Sequence, residues 1–333
     1  MSSYSPSAST SRGRRTFMSK TCRRRAPLIT GVIVAALVAA FGVSPAVAGA
    51  PAAAQGSWVC DTALFDSLGS LGASSTARGG GPTIREPALN QLAAEVPANR
   101  QGLAGPNFRA TVPTWVHVVS DGAIGNVSNT AINAQIQVLN RTFAGQEGGV
   151  RTGFSFQLVG VTRTNNADWH YANPGGAEHR MKRTLHRGGD DTLNIYLTTA
   201  GDYLGWAYLP SVTEQGNSYL DGIVVDWESM LGTSDRYAGR YDRGETATHE
   251  AGHWLNLEHT FFHGCNGEGD FVDDTPYMYV PTNGCPAGKD TCPQPGLDPI
   301  HNYMDYSYDT CYTEFTAGQA QRMQDAWNFW RAN

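Results

Sequence analysis

Charge is scarce in this chain of 333 residues. Asp, Glu, Lys and Arg make up only 16% of it, below the share of about a quarter usual for soluble domains. No run of six basic residues lies in the body of the chain, which argues against a protein that holds nucleic acid by neutralising phosphates. Cysteine is sparse at six, and no internal repeat is visible. Disorder throughout is excluded by the hydrophobic content of 41%, enough for a sizeable core. With 38 glycines added, the composition describes a loop-rich globular protein of one or two domains with appendages.

A long apolar stretch, Ala26 to Val43, follows Arg12, Arg14, Arg15, Lys20, Arg23, Arg24 and Arg25 and precedes Ala46-Val47-Ala48. Basic region, apolar region and small-x-small site in that order make residues 1–48 a secretory signal peptide. A retained membrane anchor is the alternative, but Pro27, Gly31 and Gly42 interrupt a run of borderline length. Cleavage after Ala48 removes seven basic and no acidic residues, leaving 17 against 30 and a net −13. Such a chain is expected outside the cell, soluble, with no stable membrane association. Cys22 leaves with the signal. The five remaining cysteines, in an oxidising compartment, form disulfides with at least one thiol left over.

Residues 49–106 are Ala-, Ser- and Gly-rich in blocks and cannot bury enough apolar area to fold alone, so they are read as a pro-segment, with a short helix expected at Pro87–Val96. Regular patterning starts near Thr111. Strands are expected at Thr114–Ser120, Phe154–Thr162, Leu193–Thr198 and Gly222–Asp226. Ser128 caps a helix whose stripe is Ile132, Ile136, Leu139 and Phe143. A second helix is expected over about 245–257. Some sixty irregular residues follow, and a last helix opens with the capping box Thr316-x-x-Gln319. The fold class is α/β in the α+β sense, with a catalytic domain over 107–333.

The chemistry concentrates in His249-Glu250-Ala251-Gly252-His253-Trp254-Leu255-Asn256-Leu257-Glu258-His259. His249 and His253, four apart, project from one helix face and can share one ion, and imidazole nitrogen suits zinc. Glu250 is placed to act as general base on a water at that ion. His259 reaches the same ion only if the helix breaks between His253 and His259. The breaking position holds Asn256, one of the residues that best tolerates left-handed backbone. A His-His-Glu set is the rival, and Glu268 is the only glutamate in the fifty residues after His259. No ligand role falls to Glu245 or Glu258. His263 and His301 read as surface or supporting residues.

About fifty residues later comes His301-Asn302-Tyr303-Met304-Asp305-Tyr306. A methionine in a turn under the zinc, closely followed by a tyrosine, marks the metzincin proteases. The segment 249–331, with HEAGHWLNLEHTF, GDFVDDTP, GCP, DTCP, LDPIHNYMDYSYDTC and EFTAGQAQRM in order, resembles the pappalysin family of metzincins, as do TLNIYLT and DGIVVD upstream. The resemblance covers about 107–333. It implies a metzincin-type domain with a mixed twisted sheet, in which His249, His253 and His259 hold zinc and Glu250 serves as base and then acid. Met304 would pack beneath the metal, and Tyr306 would stabilise the oxyanion.

Four cysteines around the irregular half allow three pairings. The resemblance implies Cys265–Cys292 and Cys285–Cys311. It also implies calcium at Asp270, Asp274 and Thr275, where carboxylate, hydroxyl and turn oxygens concentrate. The leftover Cys60 is a candidate fourth zinc ligand that keeps the precursor latent; a dimer disulfide or a free thiol are the alternatives. Asp309, five residues after Met304, is a candidate for a specificity pocket favouring Arg or Lys after the scissile bond. Leu193–Thr198 is the expected edge strand that pairs with an extended substrate. Together these features describe a secreted, calcium-stabilised zinc endopeptidase made as a zymogen, acting on protein or peptide substrates. A non-catalytic zinc-bearing binding protein would have no need of Glu250, and a zinc hydrolase of other substrates would have no need of a pairing edge.

Overall fold

Strands that are apolar at successive positions cannot leave either face in water, so they lie side by side and take cover on both sides. In the computed structural model, which describes residues 86–87, 89, 91, 93–213 and 217–332, such strands form the middle of a five-stranded sheet. The signal segment 1–48 and Cys60 lie outside the described residues. All described residues belong to the unit Ala63–Asn333. The strands are β1 (Ala110–Ser120), β2 (Phe154–Asn165), β3 (Leu193–Thr198), β4 (Gly205–Ala207) and β5 (Ile223–Asp226), in the order β2-β1-β3-β5-β4. All pairings are parallel except β4 with β5, which is antiparallel.

Side chains sort by parity. Val116, Val118, Ile195, Leu197, Ile223 and Val225 face one cluster, and Val119, Tyr196 and Val224 face the other. The first cluster is closed by helix α1 (Asn129–Phe143) through Ile132 and Leu139, and by the helix α3 (Glu245–Trp254) through Ala247 and Ala251. The second is closed by α2 (Gly176–Leu185) through Met181 and Leu185. The result is three layers, helix on sheet on helix. Ser128 caps α1 by accepting from the Ala131 N–H at 3.2 Å. The capping box of α4 (Ala317–Ala326) is present, with Gln319 N–H on Thr316 Oγ1 at 3.1 Å and Thr316 N–H on Gln319 Oε1 at 2.9 Å.

Three expectations change. Leu193–Thr198 is not an edge: β3 lies between β1 and β5 and is buried at all six positions, its apolar Leu193, Ile195, Tyr196 and Leu197 covered on both faces. The outer strands are β2 and β4; β4, at the end beside α3, is only three residues long and too short to show a period in the sequence. Trp206 of β4 is fastened to α2, its Nε1 donating to Glu178 Oε1 at 2.8 Å, beside the buried Glu178–Lys182 pair. The described residues of 87–96 carry no helix; they are spent on contacts outside their own segment, described below. Helix α3 stops at Trp254, three residues before the expected end.

Between Leu255 and Thr316 there is no helix or strand, only the isolated bridge of Asn302 with Glu314. Two disulfides hold this stretch, Cys265–Cys292 and Cys285–Cys311, with Cα atoms 5.4 and 5.8 Å apart. The spans overlap, so each bond restrains the loop closed by the other.

His117, in the middle of β1, is fully buried with no counter-charge. Its Nε2 donates to Asn194 Oδ1 at 2.9 Å, and its Nδ1 accepts from Thr162 Oγ1 at 2.8 Å. Asn194 Oδ1 is an acceptor because its Nδ2 donates to Arg187 O and Thr192 O. Burial pushes the His117 pKa down to about 4. A depressed histidine contributes stability that is present above its unfolded value of 6.5 and is lost as pH falls toward 4. The loss from this one side chain amounts to about 3 kcal/mol. A His117→Gln variant should be less stable at pH 7 yet lose less stability on acidification. Urea unfolding at pH 7 and pH 4.5 checks this, and equal losses in both proteins would contradict it.

Candidate metal centre

Helix α3 is polar where it faces the cleft and buried at every position. His249 and His253 therefore stand one turn apart under cover, and each is fixed through its far nitrogen. His249 Nδ1 donates to Tyr303 O at 2.6 Å and His253 Nδ1 to Leu257 O at 2.7 Å. Each of these imidazoles, when neutral, then presents a bare lone pair at Nε2.

The turn that returns the chain to His253 follows from Asn256. It sits at φ 75°, with Asn256 N–H on His253 O at 2.8 Å and Leu257 N–H on Gly252 O at 3.0 Å. That is the paired bonding of a helix closed by one left-handed residue. The break lets His259 swing round until its Nε2 lies 3.1 Å from His253 Nε2, which in turn lies 3.2 Å from His249 Nε2. Ligand atoms at about 2.0–2.1 Å from a tetrahedral zinc are about 3.3 Å apart, so the spacing fits one ion. Two lone pairs facing each other repel unless a cation lies between them, so the donor set fits as well. His259 stacks on Phe261, ring centroids 4.6 Å apart.

The turn of Met304 lies beneath. Met304 is fully buried, and a Cβ on Gly252 would come within 2.4 Å of its Sδ, so a glycine in mid-helix is what allows the turn to approach. Tyr303 O holds His249, and Met304 O accepts the Thr260 N–H at 3.2 Å. From the other end, Arg331 grips the last turn of α3: its Nε and Nη2 donate to Trp254 O at 3.0 and 2.8 Å, and it pairs with Asp221 at 3.1 Å. A cation at a helix C-terminus is favourable by charge as well. Neither Arg331 nor Asp221 was singled out by sequence, since Arg331 acts on a distant backbone carbonyl and Asp221 on the side chains of Arg331 and Trp254.

Glu250 is buried and its Oε2 has no partner. Burial, then the nearby Glu86 carboxylate, push its pKa well above the ordinary carboxylate value. Gly205 on β4 makes room for it: a Cβ there would lie 2.8 Å from Glu250 Oε1. Tyr306 reaches the same place, its ring 5.7 Å from that of His249 and 5.0 Å from that of His259. Asp309 lines the cavity beside Glu250 and is buried, accepting from Arg243 N–H at 2.8 Å and bonded to Glu245. Burial and the facing Glu245 push the Asp309 pKa well up, and burial pushes Glu245 to about 7.

Sequence reasoning missed Glu86. Its Oε1 lies 2.6 Å from His249 Nε2, 3.0 Å from His259 Nε2 and 3.4 Å from His253 Nε2. Glu86 and the three histidines are the group of metal-ligating type found among the described residues. Burial would raise the Glu86 pKa, but His259, His253 and the bond from His249 hold it well below the ordinary value. No motif marks Glu86; only the fold brings it here. At the acidic turn, Thr275 Oγ1 donates to Asp270 Oδ1 at 2.6 Å, and Asp270 Oδ2 is buried without a partner. Asp274, exposed, accepts the Gly318 N–H at 2.8 Å instead.

Residues 202–328 match the family model described as pregnancy-associated plasma protein-A, a peptidase family. An extracellular metalloprotease of Arthroderma benhamiae is 45% identical over 228 residues, covering 67% of this chain and 74% of that protein. One from Pyricularia oryzae is 40% identical over 289 residues, 82% of this chain and 98% of the other. Among solved structures, a promirolysin mutant of Tannerella forsythia superposes with TM-score 0.59 at 30% identity, covering 67% of this chain and 82% of that one. Mature mirolysin in complex with a cleaved peptide gives 0.57 at 29%, covering 68% and 97%. Fold, histidine set and relatives agree on the class: a metalloendopeptidase. The chain belongs to the pappalysin family, whose members imply a zinc cofactor and protein or peptide substrates. Among the described residues, no helix is long and apolar enough to cross a membrane.

Proposed function

We propose that the protein is a secreted zinc endopeptidase made as a precursor, with His249, His253 and His259 as zinc ligands, residues 1–48 as export signal and residues 49–106 as pro-segment. Three imidazole lone pairs converging beside the unpartnered carboxylate oxygen of Glu250 carry this reading. Zinc, when bound, supplies Lewis-acid polarisation. Glu250 takes the proton of the attacking water and returns it to the leaving amine, a role that its burial beside the histidines supports. Tyr306 donates its hydroxyl hydrogen to the oxyanion of the tetrahedral intermediate. The outer edge of β4, whose first residue Gly205 lies against Glu250 in the cleft, aligns an extended peptide. The names of the relatives, extracellular metalloproteases, support export.

Glu250→Ala should lose about 10²–10⁴-fold in kcat on an unfolded protein substrate while keeping one zinc, and Tyr306→Phe should lower kcat with little change in KM. Loss of zinc from the Glu250 variant, or full activity in it, would defeat the reading.

Asp309 places a carboxyl group in the wall of the cavity beside Glu250, which supports a preference for Arg or Lys after the scissile bond. Cleavage profiling should show that preference, and Asp309→Asn should flatten it; a profile without basic residues at that position refutes the assignment.

The acidic turn supports a structural calcium held by Asp270, Asp274 and Thr275. The buried, unpartnered Asp270 Oδ2 is a ready ligand, and burial pushes that carboxyl to about 7 in the absence of a cation. Added calcium should raise the Tm of the wild type and leave that of Asp270→Ala unmoved; equal shifts would exclude the site.

A further inference from the structure

The metal centre is not the only thing touched by the segment around Glu86. Leu89 packs against the cluster that holds Tyr196 and Trp206. Gln91 lies on the free edge of β4: its Nε2 donates to Ala207 O at 2.7 Å, and its Oε1 accepts the Leu209 N–H at 3.0 Å. One carbonyl and one N–H two residues apart are what a pairing strand would engage, and here a side-chain amide engages both. Further on, Ala93 N–H donates to Glu258 Oε1 at 2.6 Å, and Asn256 Nδ2 donates to Ala94 O at 3.0 Å. Arg322 pairs with Glu95 at 2.7 Å, and Val96 packs with Ala326 and Trp330. The described residues of 86–96 are therefore fastened at the metal centre, at the edge strand and at the turn that ends α3.

At the metal centre itself, Glu86 copies a substrate. Its carboxylate oxygen stands where a fourth ligand to the three histidines belongs, and Glu86 lines the same cavity as Glu250 and Tyr306. A side-chain carboxylate in that place offers no peptide carbonyl to attack, and the amide over β4 is likewise a side chain. The segment thus fills the cleft without presenting a bond to cut.

We propose that Glu86 is the fourth ligand to the catalytic metal in the precursor, and that residues 86–96 hold the enzyme latent through Glu86 rather than through Cys60. The proposal rests on the metalloprotease reading of the site. Release requires removal of the segment, whereupon the fourth position passes to water and substrate, and β4 regains a free edge.

The test uses the full-length precursor, compared as wild type, Glu86→Gln and Cys60→Ala, each also in a Glu250→Ala background to stop self-processing. With cobalt in place of zinc, the visible spectrum reports the ligands without any catalysis. Glu86→Gln should change the d–d bands of the precursor. Cys60→Ala should leave them unchanged, and no thiolate-to-cobalt charge-transfer band should be present in any form. In the Glu250-intact proteins, Glu86→Gln should cleave a peptide at least tenfold faster than the wild-type precursor before processing, and Cys60→Ala should stay latent. Gln91→Ala, which leaves the ligands alone, should shorten the time to processing while the mature enzyme keeps its activity. A thiolate band lost on Cys60→Ala overturns the proposal, and so does a Glu86→Gln precursor with unchanged spectrum and latency. If the processed wild type cleaves nothing, the protease reading fails separately, because the cobalt spectra still show whether Glu86 is on the metal.

Discussion

Electron pairs that face one another across about 3 Å need something positive between them, and that demand organises the whole lower half of this molecule. His249 and His253 cannot relieve it by changing tautomer, because Tyr303 O and Leu257 O claim their Nδ1 hydrogens. The two carbonyls belong to segments that have no regular structure of their own. Holding them still is therefore the task of everything packed around them: Met304 under Gly252, Asn302 paired with Gln319 at 2.7 and 2.9 Å, and the two disulfides across 265–311. Ligand geometry at the cleft is only as firm as these outer supports.

The upper half answers a different demand. The parallel strands supply a rigid back wall, but a parallel sheet buried on both faces has no place for a substrate. One short antiparallel strand at the end of the sheet provides it. Glu178, buried with Lys182, holds Trp206 and so fixes that strand against α2, and Gly205 keeps it clear of Glu250. The buried Glu250 carboxyl, His249 and His253 thus come from α3, which packs on both β4 and β5, and His259 follows from the turn at the end of α3.

Much of the catalytic centre could be read directly from residue spacing, because helix geometry is local. Two histidines four apart, a glutamate beside the first and an asparagine able to turn the chain foretell the convergence of three imidazoles beside a buried carboxylate without reference to the rest of the protein. The parity of Thr114–Ser120 and the caps at Ser128 and Thr316 are local in the same way, and the structure agrees with them. Long-range order is where the reading stops. Leu193–Thr198 has the composition of a buried strand, and its place inside the sheet depends on which strands flank it, which no residue of LNIYLT encodes. Glu86 sits in a stretch without period or motif, some 160 positions from the histidines it meets, and the cysteine that chemistry made the more obvious ligand lies elsewhere in the same leader. Arg331 acts on a backbone carbonyl, which leaves no trace in a sequence, and Asp221 acts by pairing with Arg331 and accepting the Trp254 Nε1–H.

The brevity of β4 limits what the cleft can attract. A protease that binds extended chains must keep an unpaired strand edge in water, and long unpaired edges invite other chains to stack in register and aggregate. Three residues offer enough main-chain groups to align one peptide for the time of a reaction, but too few to seed a growing sheet. The flanking turn at Leu204 and the one-turn helix that begins at Pro210 bend the chain away on either side, so the edge cannot lengthen. The cleft can therefore be sticky for a single substrate without its own edge offering a template on which chains stack.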